Sequence, residues 1–430
     1  MIDDKYNPWT KKDEKLHPES VIEWWCHEIF YKTIDDKTNW HLNASMSEYG
    51  KKNWSGTASK TTFYDLDSKD HYDYLKYNRN RYEKTEDEGF SVKNEYGSMR
   101  GLFPNYELKM YDQKNHISVD LKCKAVAYPH WISQNLTNGW LPWGLGAYRY
   151  GFIPKLEVTG TMTKNDITKK VEGIGYFEHV YGNFNFKKPM DTLSSFKKTL
   201  SIILKLGKNW IKNNDIKIPN SIEFCRENNP IGYDWAWNVF DNGWTIFFGN
   251  IMLWVSEGPG FGTLILSKDD KNYTEFSNLY FKYNQIKYSK FYDFYYPTEI
   301  EVIAKNKNEK LHLIYKQTAE AREFIQILKG KIYKAYVICE APGIVKGFYT
   351  DGEKKIPLRG FAKIEPQRQV SIFGHSKFKI DFLKPPKEFG IAFDYTSHYF
   401  LKNIKTKIQI LPVLNMKFNI KKLDKSKIHR

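Results

Sequence analysis

Short apolar–polar alternations recur along this chain about every ten to fifteen residues from Val21 onward, each followed by a turn signal, and few architectures accept that spacing. The first run reads Val21-Ile22-Glu23-Trp24-Trp25-Cys26-His27-Glu28-Ile29-Phe30, and comparable runs follow at 40–46, 117–127, 156–163 and 171–179. Lys164-Asn165-Asp166 stands between the last two as a hairpin turn. A second series begins near Ser221, where Tyr233–Phe240 and Trp244–Val255 flank the turn Asp241-Asn242-Gly243. Many short strands with few helices make a barrel or a sandwich. A closed antiparallel barrel of about eight strands has room for one small ligand, which is the physical route from this pattern to a binding function.

At 430 residues the chain is too long for one ordinary domain. The expected division is an N-terminal barrel over 1–187, a helical linker over 188–220, and a C-terminal barrel with a basic tail over 221–430. Within the linker, Leu193, Phe196, Leu200, Ile203, Leu204, Trp210 and Ile211 recur at helical spacing, with Lys197, Lys198, Lys205, Lys208 and Lys212 on the remaining face. This basic amphipathic helix either packs on a barrel or lies on a membrane surface. Thr318–Leu328 is expected as a second helix. The polar stretch 65–100, with its charge run Glu83–Glu88, reads as rim loops.

The net charge of +16 (66 Lys+Arg against 50 Asp+Glu) attracts anions, and the densest cluster is the end of the chain, Lys417–Arg430. Such a tail is either solvated or in peripheral contact with anionic membrane. No nucleic-acid-binding signature accompanies the charge, so nucleic acid is not an expected partner. Cys26, Cys123, Cys225 and Cys339 are far apart in sequence and read as reduced thiols. With no apolar stretch at the N-terminus and no run of 18 apolar residues, a cytoplasmic location is expected.

Several chemistries find no support. The sequence has no G-x-G-x-x-G after a strand, no Walker A loop, no G-x-S-x-G elbow and no H-E-x-x-H. Gly258-Pro259-Gly260-Phe261-Gly262 precedes a strand and reads as a turn. The 11 histidines are dispersed without metal-ligand spacing, so neither metal nor cofactor is expected.

Two stretches carry a family resemblance. One is His17-Pro18-Glu19 followed by Glu23-Trp24-Trp25. The other runs from Tyr148-Arg149-Tyr150 through Pro154-Lys155-Leu156-Glu157-Val158-Thr159-Gly160 to Val171-Glu172-Gly173-Ile174-Gly175-Tyr176-Phe177-Glu178-His179-Val180-Tyr181-Gly182. Together they resemble the AttH-like and carotenoid 1,2-hydratase (hydroxyneurosporene synthase) superfamily over roughly residues 15–185. That resemblance implies two lipocalin-like (calycin-type) antiparallel barrels in tandem, and activity on polyene or terpenoid substrates. This chain departs from the family pattern in several places. Glu178 stands where the family has Asp, Tyr181 where it has Trp, Cys26 where it has an aromatic, and Tyr148-Arg149-Tyr150 where the hydratases have H-x-W.

Adding water to an isolated alkene requires a strong proton donor in a dry site, and a carboxylic acid serves when burial keeps it protonated. Aromatic faces then stabilise the cation. Glu178 is the candidate acid, with Tyr176 as its partner and His179 as a further candidate. On a strand Tyr176, Glu178 and Val180 share one face and Phe177, His179 and Tyr181 the other. If the first face is inward, Tyr176 and Glu178 line the barrel and His179 points outward toward the second half. Trp24 and Trp25 fall on opposite faces of the opening strand, and Glu23, Trp25 and His27 share one face, either lining a pocket or packing a core. Trp235 and Trp237 share a face at the start of the second half, where they wall an inter-barrel cavity or fill a core. Tyr148, Tyr150 and Tyr181 complete the candidate ligand contacts. The expected activity is acid-assisted hydration or cyclisation of an apolar isoprenoid-type ligand. A non-catalytic carrier, and a pericyclase-type cyclase that works by fixing substrate conformation, remain open.

Overall fold

The computed structural model describes residues 9–51, 54–78, 82–84, 89–143, 146–183, 193–215, 221–224, 232–251, 257–292, 294–328, 334–369, 377–382, 391–397, 400–410 and 414–422, for some of them, including all beyond 368, as backbone alone. The chain forms two large antiparallel sheets, each curled around its own core, and a smaller sheet of five strands.

Both large sheets are closed by the same connection. In the first, the opening strand Ile22–Thr33 pairs with its sequence neighbour Asn39–Lys51 on one side and with the closing strand Ile167–Gly182 on the other. In the second, Gly232–Phe240 pairs with Thr245–Ile251 and with the closing strand Lys355–Gln369. The hairpin Gly146–Lys164/Ile167–Gly182 turns through Asn165 and Asp166, both at positive φ (50° and 64°), as a two-residue turn between right-twisted strands requires. Trp25, Phe90, Tyr106 and Phe177 fill the first core, with Phe90 stacked between Trp25 and Phe177 at 5.5 and 5.6 Å. The interior of this half is therefore a packed core.

Two sequence expectations are corrected. Residues 65–100 include the strands His71–Asn78, Phe90–Asn94 and Gly97–Leu102, and Phe90, Val92 and Met99 are fully buried in the first core. Their alternation is short and framed by charges, which hid it. Arg322–Leu328 is a strand paired with Lys334–Thr350, so the expected helix is absent there. Ile325 and Ile327 are β-branched, and an available sheet edge outweighs the weak helical propensity of Ala319-Glu320-Ala321-Arg322.

The expected linker helix is present as Leu193–Asn213. No helix among the described residues is long and apolar enough to cross a membrane. The basic end lies partly in the strand Leu414–Lys422, and residues 423–430, like Cys225, fall outside the described residues. The other three cysteines are buried and free.

The two halves meet across a third apolar cluster that includes Phe152, Tyr176 and Val180 of the first and Trp235, Trp237 and Phe247 of the second. Phe152 and Phe247 stack at 4.7 Å, and Trp237 donates its indole N–H to the Pro154 carbonyl at 2.8 Å. Buried rings of this size dominate interface energetics, and each polar tip here has found a partner.

Candidate active site

The closing strand Ile167–Gly182 is buried on both faces along its last residues, so both alternating sets of side chains lie in apolar surroundings. Phe177 and Tyr181 belong to the first core, and His179 stacks on Trp25 at 5.3 Å within it. Tyr176 and Val180 belong to the cluster between the halves, and Glu178 shares their face. The orientation is thus the reverse of the inward placement of Tyr176 and Glu178. The Glu178 face meets the second half, and His179 points into the first barrel.

At the interface Glu178 is bonded to three side chains from three strands. Trp24 Nε1 of the opening strand donates to Oε1 at 2.9 Å. Tyr176 donates to Oε2 at 3.0 Å, and Tyr150, from Gly146–Lys164, donates to the same oxygen. Tyr150 and Tyr176 are 3.1 Å apart, and Trp235 Nε1 reaches Tyr150 from the other half at 3.1 Å. Among the described residues no lysine or arginine nitrogen lies within ion-pair distance of Glu178. Burial pushes its carboxyl above the ordinary glutamate range, against the lowering effect of the bonds from Tyr150, Trp24 and Tyr176. Burial and the Glu178 charge push the phenols of Tyr150 and Tyr176 well up, so both act as neutral donors.

The cluster has a floor and a rim. Tyr150, Tyr176, Glu178 and Trp235 are buried, while Trp24, Tyr148, Leu141 and Tyr233 are half-buried around them. Trp24 and Tyr148 lie 6.2 Å apart between ring centres. Aromatic faces therefore surround a carboxyl that no cation among the described residues neutralises.

A second carboxyl, passed over in the sequence, comes from the closing strand of the other half. Glu365 is the cross-strand partner of Trp235, and Tyr233 donates to it at 3.2 Å. Burial, then the charges of Glu365, Glu178 and Tyr148, push the Tyr233 phenol well up, so this ring lies in the field of both carboxyls. Behind Glu365 is a buried ionic network. Lys363 Nζ lies 2.9 Å from Glu340, 3.1 Å from Glu28 and 3.6 Å from Glu365, and Lys60 adds a bond to Glu340 at 2.9 Å. Two ammonium groups balance two carboxylates and leave the third in excess. Burial, outweighing Lys363 and Lys60 and aided by Glu340 and Glu28, pushes Glu365 up to about 7. Its only sequence signal was its place beside Trp235 on the same sheet face, which needs the strand pairing to be seen.

The remaining candidates lie on the far side of the first sheet. Glu23, Trp25, His27, His179 and Tyr181 do not join the Glu178 cluster. Glu23 Oε1 bridges His17 Nδ1 at 2.9 Å and His179 Nε2 at 2.8 Å. Burial alone would raise this carboxyl, but bonds from His17 and His179 outweigh it and hold it at about 2. Burial holds the fully enclosed His27 at about 3, hence neutral. Trp237 is in the inter-half cluster, its N–H committed to Pro154. Among the described residues two groups have metal-ligand spacing, His17/Glu23/His179 and Glu28/Glu340/Glu365. In the first the carboxylate already links both imidazoles, and in the second the Lys363 ammonium stands among the carboxylates.

No family model matches the sequence, and no curated protein matches it. Solved structures do match its fold. An AttH-like protein of Nitrosomonas europaea aligns with a TM-score of 0.54 at 13% identity, over 82% of this chain and 94% of that one. Kievitone hydratase of Nectria haematococca aligns with a TM-score of 0.51 at 10% identity, over 83% and 92%. The chain thus shares its two-sheet fold, over most of its length, with both of these proteins.

Proposed function

We propose that this protein is a cofactor-independent enzyme that uses the Glu178 carboxyl to protonate a carbon–carbon double bond of an apolar, isoprenoid-type substrate. The bond pattern around Glu178 carries the reading: a buried carboxyl with a raised pKa, three neutral donors and no ion-paired cation. A carboxylate serving only to hold strands together is expected beside Lys or Arg, as Glu340 is beside Lys363 and Lys60.

In this mechanism Glu178 transfers its proton to the less substituted alkene carbon and becomes a carboxylate. Tyr150, Tyr176 and Trp24 already point N–H or O–H bonds at its oxygens and stabilise the charge as it forms. The cation left on the substrate faces the rings of Trp24, Tyr148 and Trp235. In hydration, water adds to the cation and the surplus proton returns to Glu178, so the net change is one water across one double bond. In cyclisation, a second double bond of the substrate adds instead, and the Glu178 carboxylate takes a proton back from the new ring, so the net change is an isomerisation. The similarity of the fold to a kievitone hydratase favours hydration. The ring-lined, buried floor, which limits water, favours cyclisation.

The test is to purify wild type and Glu178→Gln from a host that makes isoprenoids and identify the co-extracted apolar molecules by mass spectrometry. An unmodified isoprenoid on the Gln variant, with a hydrated or cyclised form from wild type, is expected. The same molecule on both would make the protein a carrier, and no apolar molecule on either would overturn the reading.

A further inference from the structure

The helix Leu193–Asn213 has one broad apolar face, and only part of it is used in packing. Thr199 and Ile202 are buried, Trp210 donates its indole N–H to the Gly260 carbonyl at 2.8 Å, and just past the helix Asn214 bonds Ser277 and Leu279 at 2.9 and 3.1 Å. At 3.6 residues per turn these positions fall on one arc. Leu193, Leu200, Leu204 and Ile211 fall within about 40° of one another on the far arc. They are exposed by 65, 44, 62 and 66%. A continuous stripe of large aliphatic side chains in water is the exception on a protein surface, and its position marks what it meets.

Charge identifies the partner. Lys197, Lys205, Lys208 and Lys212 are exposed along one flank of the stripe, and the helix contains no aspartate or glutamate. An aliphatic edge flanked by lysines, without acidic residues, fits an anionic lipid surface, where the aliphatic groups enter the headgroup boundary and the ammonium groups stay among phosphates. The location fits too. The helix packs against Trp140–Trp143 and Gly146–Lys164, and Lys198 stacks on Trp140. Leu141 and Tyr148, cross-strand partners on those two strands, form part of the rim above Glu178.

We propose that Leu193–Asn213 docks the protein on anionic membrane through its outward aliphatic stripe, placing the half-buried residues around Glu178 beside the bilayer. The docking itself does not depend on the reading of Glu178.

Co-sedimentation with vesicles of phosphatidylcholine alone, or with about a third phosphatidylglycerol, tests this. Wild type is expected to bind the anionic vesicles, to bind neutral ones weakly, and to lose much of its binding in high salt. Leu200→Glu/Leu204→Glu is expected to weaken binding about tenfold or more, since both lose apolar contact and add negative charge. Lys197→Glu/Lys208→Glu is expected to abolish the preference for anionic lipid. These positions are exposed, so circular dichroism and melting should match wild type, which separates lost docking from lost folding. Failure of wild type to bind anionic vesicles at low salt, or equal binding by the Leu200→Glu/Leu204→Glu protein, would overturn the proposal. A dimer that the same double variant dissociates, without vesicle binding, would instead assign the stripe to a second copy of this chain.

Discussion

Trp235, at the start of the second sheet, donates its indole N–H to the hydroxyl of Tyr150 in the first at 3.1 Å. Tyr150 in turn bonds Glu178, so a residue from one half fixes the orientation of the donor that serves the acid of the other. Trp235→Phe keeps most of the ring contact with Phe247 and removes that bond. The expected cost is about 0.5–1.5 kcal/mol in chemical unfolding, the net range for one buried bond, since Tyr150 keeps Glu178 and Tyr176 as partners. No change in the unfolding midpoint would mean that the bond does not couple the halves.

Tyr150→Phe removes a donor that lowers the Glu178 carboxyl. Its pKa should rise further, and the alkaline limb of a turnover–pH profile should move to higher pH while turnover falls, because the carboxylate formed after proton transfer is less well stabilised. Tyr148→Phe, at the rim, should leave the profile in place. A shift of the limb to lower pH in Tyr150→Phe would contradict the assigned hydrogen bond.

Lys363 is fully buried between Glu28 and Glu340. Lys363→Met leaves those carboxylates without their central cation, and breaking one side of a buried pair costs about 3–5 kcal/mol. Melting should show the loss directly. Lys268→Met breaks the partly exposed Lys268–Glu309 pair and should cost about 1 kcal/mol or less. Equal effects of the two substitutions would remove Lys363 from its central role.

The pH dependence of stability follows from carboxyls displaced in opposite directions. Glu365 and Glu14 are both raised to about 7, chiefly by burial. Between the unfolded glutamate value and about 7 the folded state holds more protons than the unfolded one, so their contribution is complete at low pH and is lost as pH rises through that window. Glu23, held at about 2, acts the other way, and its contribution is lost as pH falls below the unfolded value toward 2. Glu365→Gln should therefore flatten the decline on the neutral side, by up to about 3 kcal/mol between pH 4.5 and 7.5. An unchanged slope in denaturation midpoints across that range would place Glu365 outside the titrating set.

The strands and turns were legible because their signals are local. Asn165-Asp166 and Asp241-Asn242-Gly243 mark the hairpins, and period-two alternation separates Trp24 from Trp25 and Glu178 from His179. Which face of Ile167–Gly182 meets the other half was not legible, because both faces are apolar there and neither declares itself as solvent-facing. Glu365 was not legible either. Lys363 and Glu365 carry no local sign of burial, and it is the apposition of the sheets that buries both charges. The helix Leu193–Asn213 was legible as an amphipathic element, but its pattern did not say how much of the apolar face would pack.

The proposed role requires Glu178 to stand between the two halves as a neutral carboxylic acid able to give up its proton. Infrared difference spectroscopy of wild type minus Glu178→Gln, recorded as pH is raised from 4 to 9, measures that state directly. A protonated-carboxyl band is expected that persists above the ordinary glutamate range of about 4.3, is absent from the variant, and shifts in Tyr150→Phe. A Glu178 carboxyl that ionises along with the exposed glutamates would contradict it.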